Sequence, residues 1–244
     1  MPESCSELLT AGASSAAPKD VLSVGKALRL LLTFSRERPC WSLSELSRAV
    51  RVPKSTAHNL LQTLERYQFV QQDPSSLRYR LGARVYELGM LFYRQTEFIP
   101  KALPFLRRLA HQTGETVKLG MLSGGRVLVL AAAESTHQLH TRGDVGSSWP
   151  LHSTSLGKVI LSHLPAAEAM RTLHEQGLLR LTSRTITSEE QIERTLEEIR
   201  RREFAFDLEE NEEGVCCIAA PVPVLIAGAP AAIRVGEEVG DAAQ

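Results

Sequence analysis

The chain has 244 residues, 43% hydrophobic and 23% charged, with 28 Lys and Arg balanced by 28 Asp and Glu. This composition describes a globular protein with room for two packed cores, and it excludes a disordered or uniformly basic chain. Four cysteines, two of them adjacent as Cys216 and Cys217, make neither a disulfide framework nor a CxxC motif, so a reducing cytoplasm is the expected compartment.

The stretch 1–20 is rich in Ser and Ala and has no basic start followed by an apolar core, so it is expected to be a flexible tail and not a signal peptide. Val24 to Arg36 predicts a helix buried on more than one side. Ser42 or Ser44 then caps a short helix with Leu43, Leu46, Ala49 and Val50 inward and Glu45, Ser47 and Arg48 wet. Pro53 disfavours helix at Val52 but suits the first turn of a new helix. In that helix Ala57, Leu60, Leu61, Leu64 and Tyr67 form the inward stripe. Phe69 and Val70 open an extended segment, Asp73 to Ser76 turn, and Leu77 to Leu81 return, completing a wing.

Two short helices, a tight turn and a basic hairpin form a winged helix-turn-helix, which lays one helix in a DNA major groove. The residues expected to face DNA are Ser44, Lys54, Ser55, Thr56, His58, Asn59, Gln62, Arg78 and Tyr79, short polar or cationic types that bond phosphates and base edges. Charge agrees with this reading: residues 21–94 carry twelve Lys and Arg against five Asp and Glu, although the whole chain is neutral.

Gly82 to Tyr93 predicts a linker helix whose Val85, Leu88, Leu91 and Phe92 offer surface for a second copy. Phe98 to Gln112 predicts another helix, the two split near Pro100 and the second ended by Gly114. Thr116 to Leu122 and Arg126 to Ala132 read as a hairpin, with a further extended piece near Leu139 to Arg142. Ser153 to Leu164 and Ser188 to Arg202 are helical, and Val215 to Pro221 and Ala231 to Val235 are strands. The uncharged run from Val215 to Ile233 contains Pro221, Pro223, Gly228 and Pro230, which favours buried strands over a membrane helix. The fold class is therefore α+β, divided into a tail (1–20), a DNA-binding domain (21–82), a linker helix (83–98) and a sensory domain (99–244).

Five segments in order resemble the IclR family of bacterial transcriptional regulators: SLSELSRAVRVPKSTAHNLLQTLE, YRLGARVYELG, GETVKLGMLSGGRVLVLAAAES, PLHSTSLGKVILSHLP and EEIRRREFAFDLEENEEGVCCIAAPV. The resemblance implies a mixed α/β, GAF-like effector-binding domain in a dimeric or tetrameric regulator, most simply a repressor, which binds a pseudo-palindromic double-stranded operator and answers to a small organic effector, a carboxylate or an aromatic compound. Neither a cofactor, a metal nor a membrane is expected. Carried over by position, Ser155, Leu156, Asp207, Cys217 and Arg234 fall where the family contacts effector.

From the residues alone, Gly146 to Lys158, which gathers hydroxyls, a histidine and small residues at a helix start, suits a carboxylate pocket as well as a plain capped helix. Cys217 reads equally as a small buried residue and Asp207 as a solvated turn residue. Arg234 either binds a carboxylate bidentately or blocks the site by pairing with Asp207. This chain departs from the family in having Asn59 where a longer residue such as Arg is usual, and Arg234 and Gly236 where two serines alternate; GEEVGDAAQ is too short and polar for the family's last helix.

Two other functions compete. Ser155 to Lys158 match the S-x-x-K pattern of serine acyl-transfer enzymes, but the companion SDN and KTG are absent. His152, Cys216 and Cys217 suggest a metal sensor, yet adjacent cysteines on a strand point to opposite faces.

Overall fold

The structure is a computed structural model and describes residues 21–134 and 145–238. The expected tail, the extended piece near 139–142 and the last six residues lie outside these. The chain divides into two units, one ending at Gln95 and the other beginning at Thr96.

The first unit holds helices α1 (Leu22–Leu32), α2 (Leu43–Ala49) and α3 (Lys54–Arg66), strands β1 (Val70–Gln72) and β2 (Tyr79–Leu81), and helix α4 (Ala83–Gln95). α2 starts with a capping box: Ser42 Oγ accepts from the Glu45 amide at 3.3 Å, and Glu45 Oε2 accepts from the Ser42 amide at 2.8 Å. The turn into α3 places Arg51 at φ 56° and is closed by Ser47, whose hydroxyl donates to Val52 O at 2.7 Å. Ser47 is therefore buried and not wet as expected, because the turn needs a local acceptor for that hydroxyl; Ala49 is exposed instead.

Leu30, Leu46, Val50, Val52, Ala57, Leu61, Val70 and Tyr79 form one core. α1 gives it Leu30 but leaves Leu22, Leu28 and Leu32 exposed, so this helix is buried on one side in the single chain and not on several. Tyr67 also leaves the expected stripe, since α3 stops at Arg66 and the cap residue that follows points out, 64% exposed. The wing is antiparallel, with Val70 opposite Leu81, and Asp73 holds its turn by accepting from the amides and hydroxyls of Ser75 and Ser76. No residue of α4 is buried, and Tyr86, Leu88, Leu91 and Phe92 are exposed along it.

The second unit begins with α5 (Phe98–Thr113), followed by β3 (Thr116–Ser123), β4 (Arg126–Ala133), β5 (Ser148–Trp149), α6 (Ser155–Ser162), α7 (Ala166–Gln176), α8 (Glu189–Arg202), β6 (Ala205–Leu208), β7 (Val215–Ile226) and β8 (Ala229–Glu238). The helical break lies at Thr96 and not at Pro100. Pro100 sits in the first turn of α5, where a missing amide costs nothing, and Gly114 ends the helix at φ 79°. The six strands run in the order β5-β4-β3-β8-β7-β6, every neighbouring pair antiparallel.

α5 packs on β3 and β4, while α6 lies across β6, β7 and β8. Ala205, Ala219 and Ala232 share a core with Leu156, Val159 and Ile160 of α6; alanines under the helix let it approach the sheet. Gly157 tightens the fit at the helix start, for a Cβ there would lie 2.3 Å from the Leu151 carbonyl oxygen.

Candidate DNA interface and effector pocket

In the first unit, Pro53 starts α3 with Lys54, Ser55, His58, Asn59 and Gln62 exposed and Ala57 and Leu61 buried. The expected reading surface is thus on the free side of α3, with Thr56 half-buried at its edge and Ser44 half-buried on α2.

The wing requires a correction. Tyr79 is 2% exposed and belongs to the core, so it is withdrawn from the DNA-facing set. In its strand Tyr79 is buried while Arg80 and Leu81 are exposed, and Arg78 just before it is half-buried. Arg78 reaches back to Glu45 Oε2 at 3.1 Å and to the Cys40 carbonyl at 3.2 Å. Glu45 also pairs with Arg38, which stacks on Trp41 at 3.5 Å. The Ser42 amide and hydroxyl and these two arginines hold the Glu45 carboxyl down at about 2. Arg78 is therefore tied to the protein, and exposed Arg80, bonded to the Gln71 side chain at 3.2 Å, is the freer wing cation.

The second unit gathers the other predicted residues on one face of its sheet. Asp207 lies opposite Cys217, and Cys217 opposite Gly236; Arg234 lies opposite both Ala219 and Lys118. Since strand side chains alternate, Lys118, Asp207, Cys217 and Arg234 share the face of Ala205, Ala219 and Ala232, which is the face under α6. All four are buried, as are Ser155 and Leu156 at the start of that helix. Arg234 folds across Gly236 and against Cys217, where a Cβ on the glycine would lie 2.8 Å from both Arg234 Nη2 and Cys217 Sγ.

Trp149 forms a wall: the Arg234 guanidinium stands 4.9 Å and the Lys118 ammonium 4.6 Å from its ring centroid. Among the described residues Arg234 makes no ion pair with Asp207, so the blocking arrangement is not the one adopted.

Asp207 is a buried hub and not a solvated turn residue. Its Oδ1 accepts from the amides of Glu210 at 2.9 Å and Asn211 at 3.3 Å. Burial nonetheless dominates over those bonds and over Lys158 and Arg234, and raises the carboxyl to about 6. Burial also pushes the Cys217 thiol up to about 12, which leaves it protonated and unreactive. Lys158, one turn along α6, ion-pairs with Glu210 Oε1. The base that an S-x-x-K enzyme needs is thereby committed away from Ser155. Two atoms in this region are buried without a partner, Ser155 Oγ and Glu210 Oε2.

The sequence reading missed Lys118, Trp149 and Glu210. A single lysine inside the otherwise apolar strand TVKLGML was the available signal for the first; Glu210 was hidden in an acidic run that reads as solvated. No group of three or more His, Cys, Asp or Glu that could hold a metal is present among the described residues, nor is any described helix long and apolar enough to cross a membrane.

Residues 91–238 match the family described as bacterial transcriptional regulator IclR C-terminal, and residues 23–74 match the IclR helix-turn-helix domain. The chain belongs to the IclR family of transcriptional regulators. It is similar to the transcriptional repressor IclR of Escherichia coli K12, with 29% identity over 85% of this chain and 77% of that protein. A putative IclR regulator from Silicibacter superposes with a TM-score of 0.81 at 27% identity, over 91% of this chain and 87% of that one. The inducer-binding domain of the PobR transcription factor from Acinetobacter, solved as a double mutant with 3-hydroxybenzoic acid, aligns at 31% identity and a TM-score of 0.53 over 59% of this chain and 85% of its own. These relatives of the IclR family are regulators and not enzymes, which decides against the acyl-transfer reading.

Proposed function

We propose that this IclR-family regulator is a repressor that binds a two-fold operator as a homo-oligomer in the cytoplasm, and that a small organic carboxylate in the second unit sets its affinity for DNA. One observation carries the effector reading: buried Arg234 holds its planar cation against Trp149, on the face where Ser155 Oγ at the start of α6 has no partner. A guanidinium and a helix N-terminus are the two fixed groups that best receive a carboxylate. The repressor IclR of E. coli and the 3-hydroxybenzoic acid held by the PobR domain support the two halves of the reading. The exposed row Leu88, Leu91 and Phe92 on α4 suits contact with a second copy, and two copies suit two half-sites. Effector acts by binding one of two states of the protein more tightly, which shifts the population able to hold both half-sites.

The DNA half is tested by titrating operator and random duplexes at several salt concentrations. Lys54→Ala is expected to weaken both and to lower the salt slope by about one, as for a single lost phosphate contact. Asn59→Ala should mainly cost discrimination, by about 1–3 kcal/mol for one base contact. Equal losses on both duplexes for both variants would refute this division.

A further inference from the structure

We infer that Glu45 is a positioning residue for DNA binding: it fixes Arg38 and Arg78 as a pair of backbone-phosphate contacts, of which Arg38 lies outside the set expected from sequence. This rests on the first unit binding DNA.

The chain entering α2 is laid alongside the wing. Trp41 exchanges both backbone hydrogen bonds with Tyr79, its amide donating at 3.0 Å and its carbonyl accepting at 2.7 Å. Glu45, in the first turn of α2, reaches across that junction. Its Oε1 pairs with Arg38 and its Oε2 with Arg78 at 3.1 Å, while the Ser42 amide donates to Oε2. Arg38 is gripped a second time, with its guanidinium 3.5 Å from the Trp41 ring centroid and its carbonyl accepting from the Trp41 indole N–H at 3.0 Å. Arg78 is gripped a second time by the Cys40 carbonyl at 3.2 Å. Two long side chains are thus each held in one orientation, yet both stay nearly half-exposed, at 45% and 43%.

Place and charge name the partner. In a helix-turn-helix the first helix crosses the phosphate backbone while the second enters the groove, and this cluster sits where that first helix meets the wing. Two cations share one carboxylate, which leaves a surplus positive charge on a fixed and accessible surface. Each arginine gives Nη2 to Glu45, so its Nε and Nη1 groups keep their N–H bonds for phosphate oxygens, which a planar guanidinium fits well. A carboxylate near DNA repels it. Here that repulsion is offset because both arginines are ordered before DNA arrives, and less side-chain freedom is lost on binding.

The test is fluorescence anisotropy of the full chain on a random-sequence duplex over a range of salt concentrations, since phosphate contacts carry no sequence information. Arg38→Ala is expected to lower the salt slope by about one, as for a single lost phosphate contact. Glu45→Gln keeps an acceptor for the Ser42 amide, and so the capping box, but loses both ion pairs. It also makes the head more positive, so charge alone predicts tighter binding, whereas positioning predicts binding weaker by about three- to fivefold. Glu87→Gln removes an acid paired with Arg84 on α4 and serves as the control, which should not weaken binding. Combining Arg38→Ala with Glu45→Gln should cost less than the product of the two single effects, because both act through the same contact. A purely structural Glu45 would instead lower the melting temperature and leave the affinity of the folded protein unchanged. Unchanged or tighter binding by folded Glu45→Gln, or an unaltered salt slope in Arg38→Ala, would overturn the inference. Arg38 is at the surface, so its variant decides the matter even if Glu45→Gln fails to fold. Absence of salt-sensitive binding by the unaltered chain would remove the DNA reading itself.

Discussion

Tyr79 separates the two roles that its sequence position allowed, since a wing tyrosine in contact with a phosphate and a core tyrosine respond oppositely to losing the hydroxyl or the ring. At 2% exposure, with Leu30, Leu46, Ala57, Leu61 and Val70 in the same core, it has its ring out of water. An aromatic side chain buries roughly 150–250 Å², which at about 25 cal/mol per Å² amounts to about 4–6 kcal/mol. Measured aromatic-to-alanine losses of about 3–5 kcal/mol agree. In a small domain stable by only about 5–15 kcal/mol, Tyr79→Ala should leave a marginal head, with its melting transition lowered by on the order of 15 °C. Tyr79→Phe keeps the ring and should change both operator affinity and stability by less than about 1 kcal/mol. Calorimetry resolves the transitions, and hydrogen exchange of the α3 amides assigns the one that moves to the head. A stable Tyr79→Ala head that no longer binds operator, or a Tyr79→Phe variant that loses affinity tenfold at unchanged stability, would refute this reasoning.

Gly157→Ala should destabilise the second unit by about 1–3 kcal/mol, although alanine favours an isolated helix by about 1 kcal/mol, because the new methyl meets the Leu151 backbone and not a movable side chain. Denaturant titration gives the sign, and a more stable variant would contradict the close approach. Asp207 titrates near 6 in the folded protein, so between the ordinary carboxylate range and 6 the native state holds a proton that the unfolded chain has released. Stability of the second unit should therefore fall as pH rises through that window, by at most about 3 kcal/mol, and level off above it. Asp207→Asn should flatten the slope, and a parallel profile in the variant would show that another group is responsible. The head behaves in the opposite sense: Glu45 and Asp73 are held below their usual values by the Ser42 amide and the Ser75 hydroxyl respectively, so what they contribute is present at neutral pH and lost on acidification below about 4.

Local physics made the head legible from sequence. A serine cap, a proline that restarts the helix, apolar spacing near 3.6 and a turn of Asp, Pro and Ser each act over a few residues, and together they specify α2, α3 and the wing. The same locality located the hairpin β3–β4 and the capped helix α8, while the four-residue β6 is too short to show a pattern and α7 went unread although its apolar spacing is as regular as that of α6. Membership in the IclR family could likewise be read from the order of five short segments.

Which side of a strand faces what is a long-range matter, and there only the tertiary structure decided. Tyr79 was assigned by its neighbours in sequence but buried by helices α1 to α3. Lys118, Asp207, Cys217 and Arg234 come from four strands and share one face only because β3, β8, β7 and β6 are adjacent in the sheet in an order that the chain does not follow. Glu210 is one of several acidic residues in its loop, and what distinguishes it is a lysine 52 residues earlier that turns it inward. Sequence fixes what a residue can do chemically over one turn of helix or one hairpin, whereas burial and partners across the sheet depend on contacts whose spacing along the chain has no period to read.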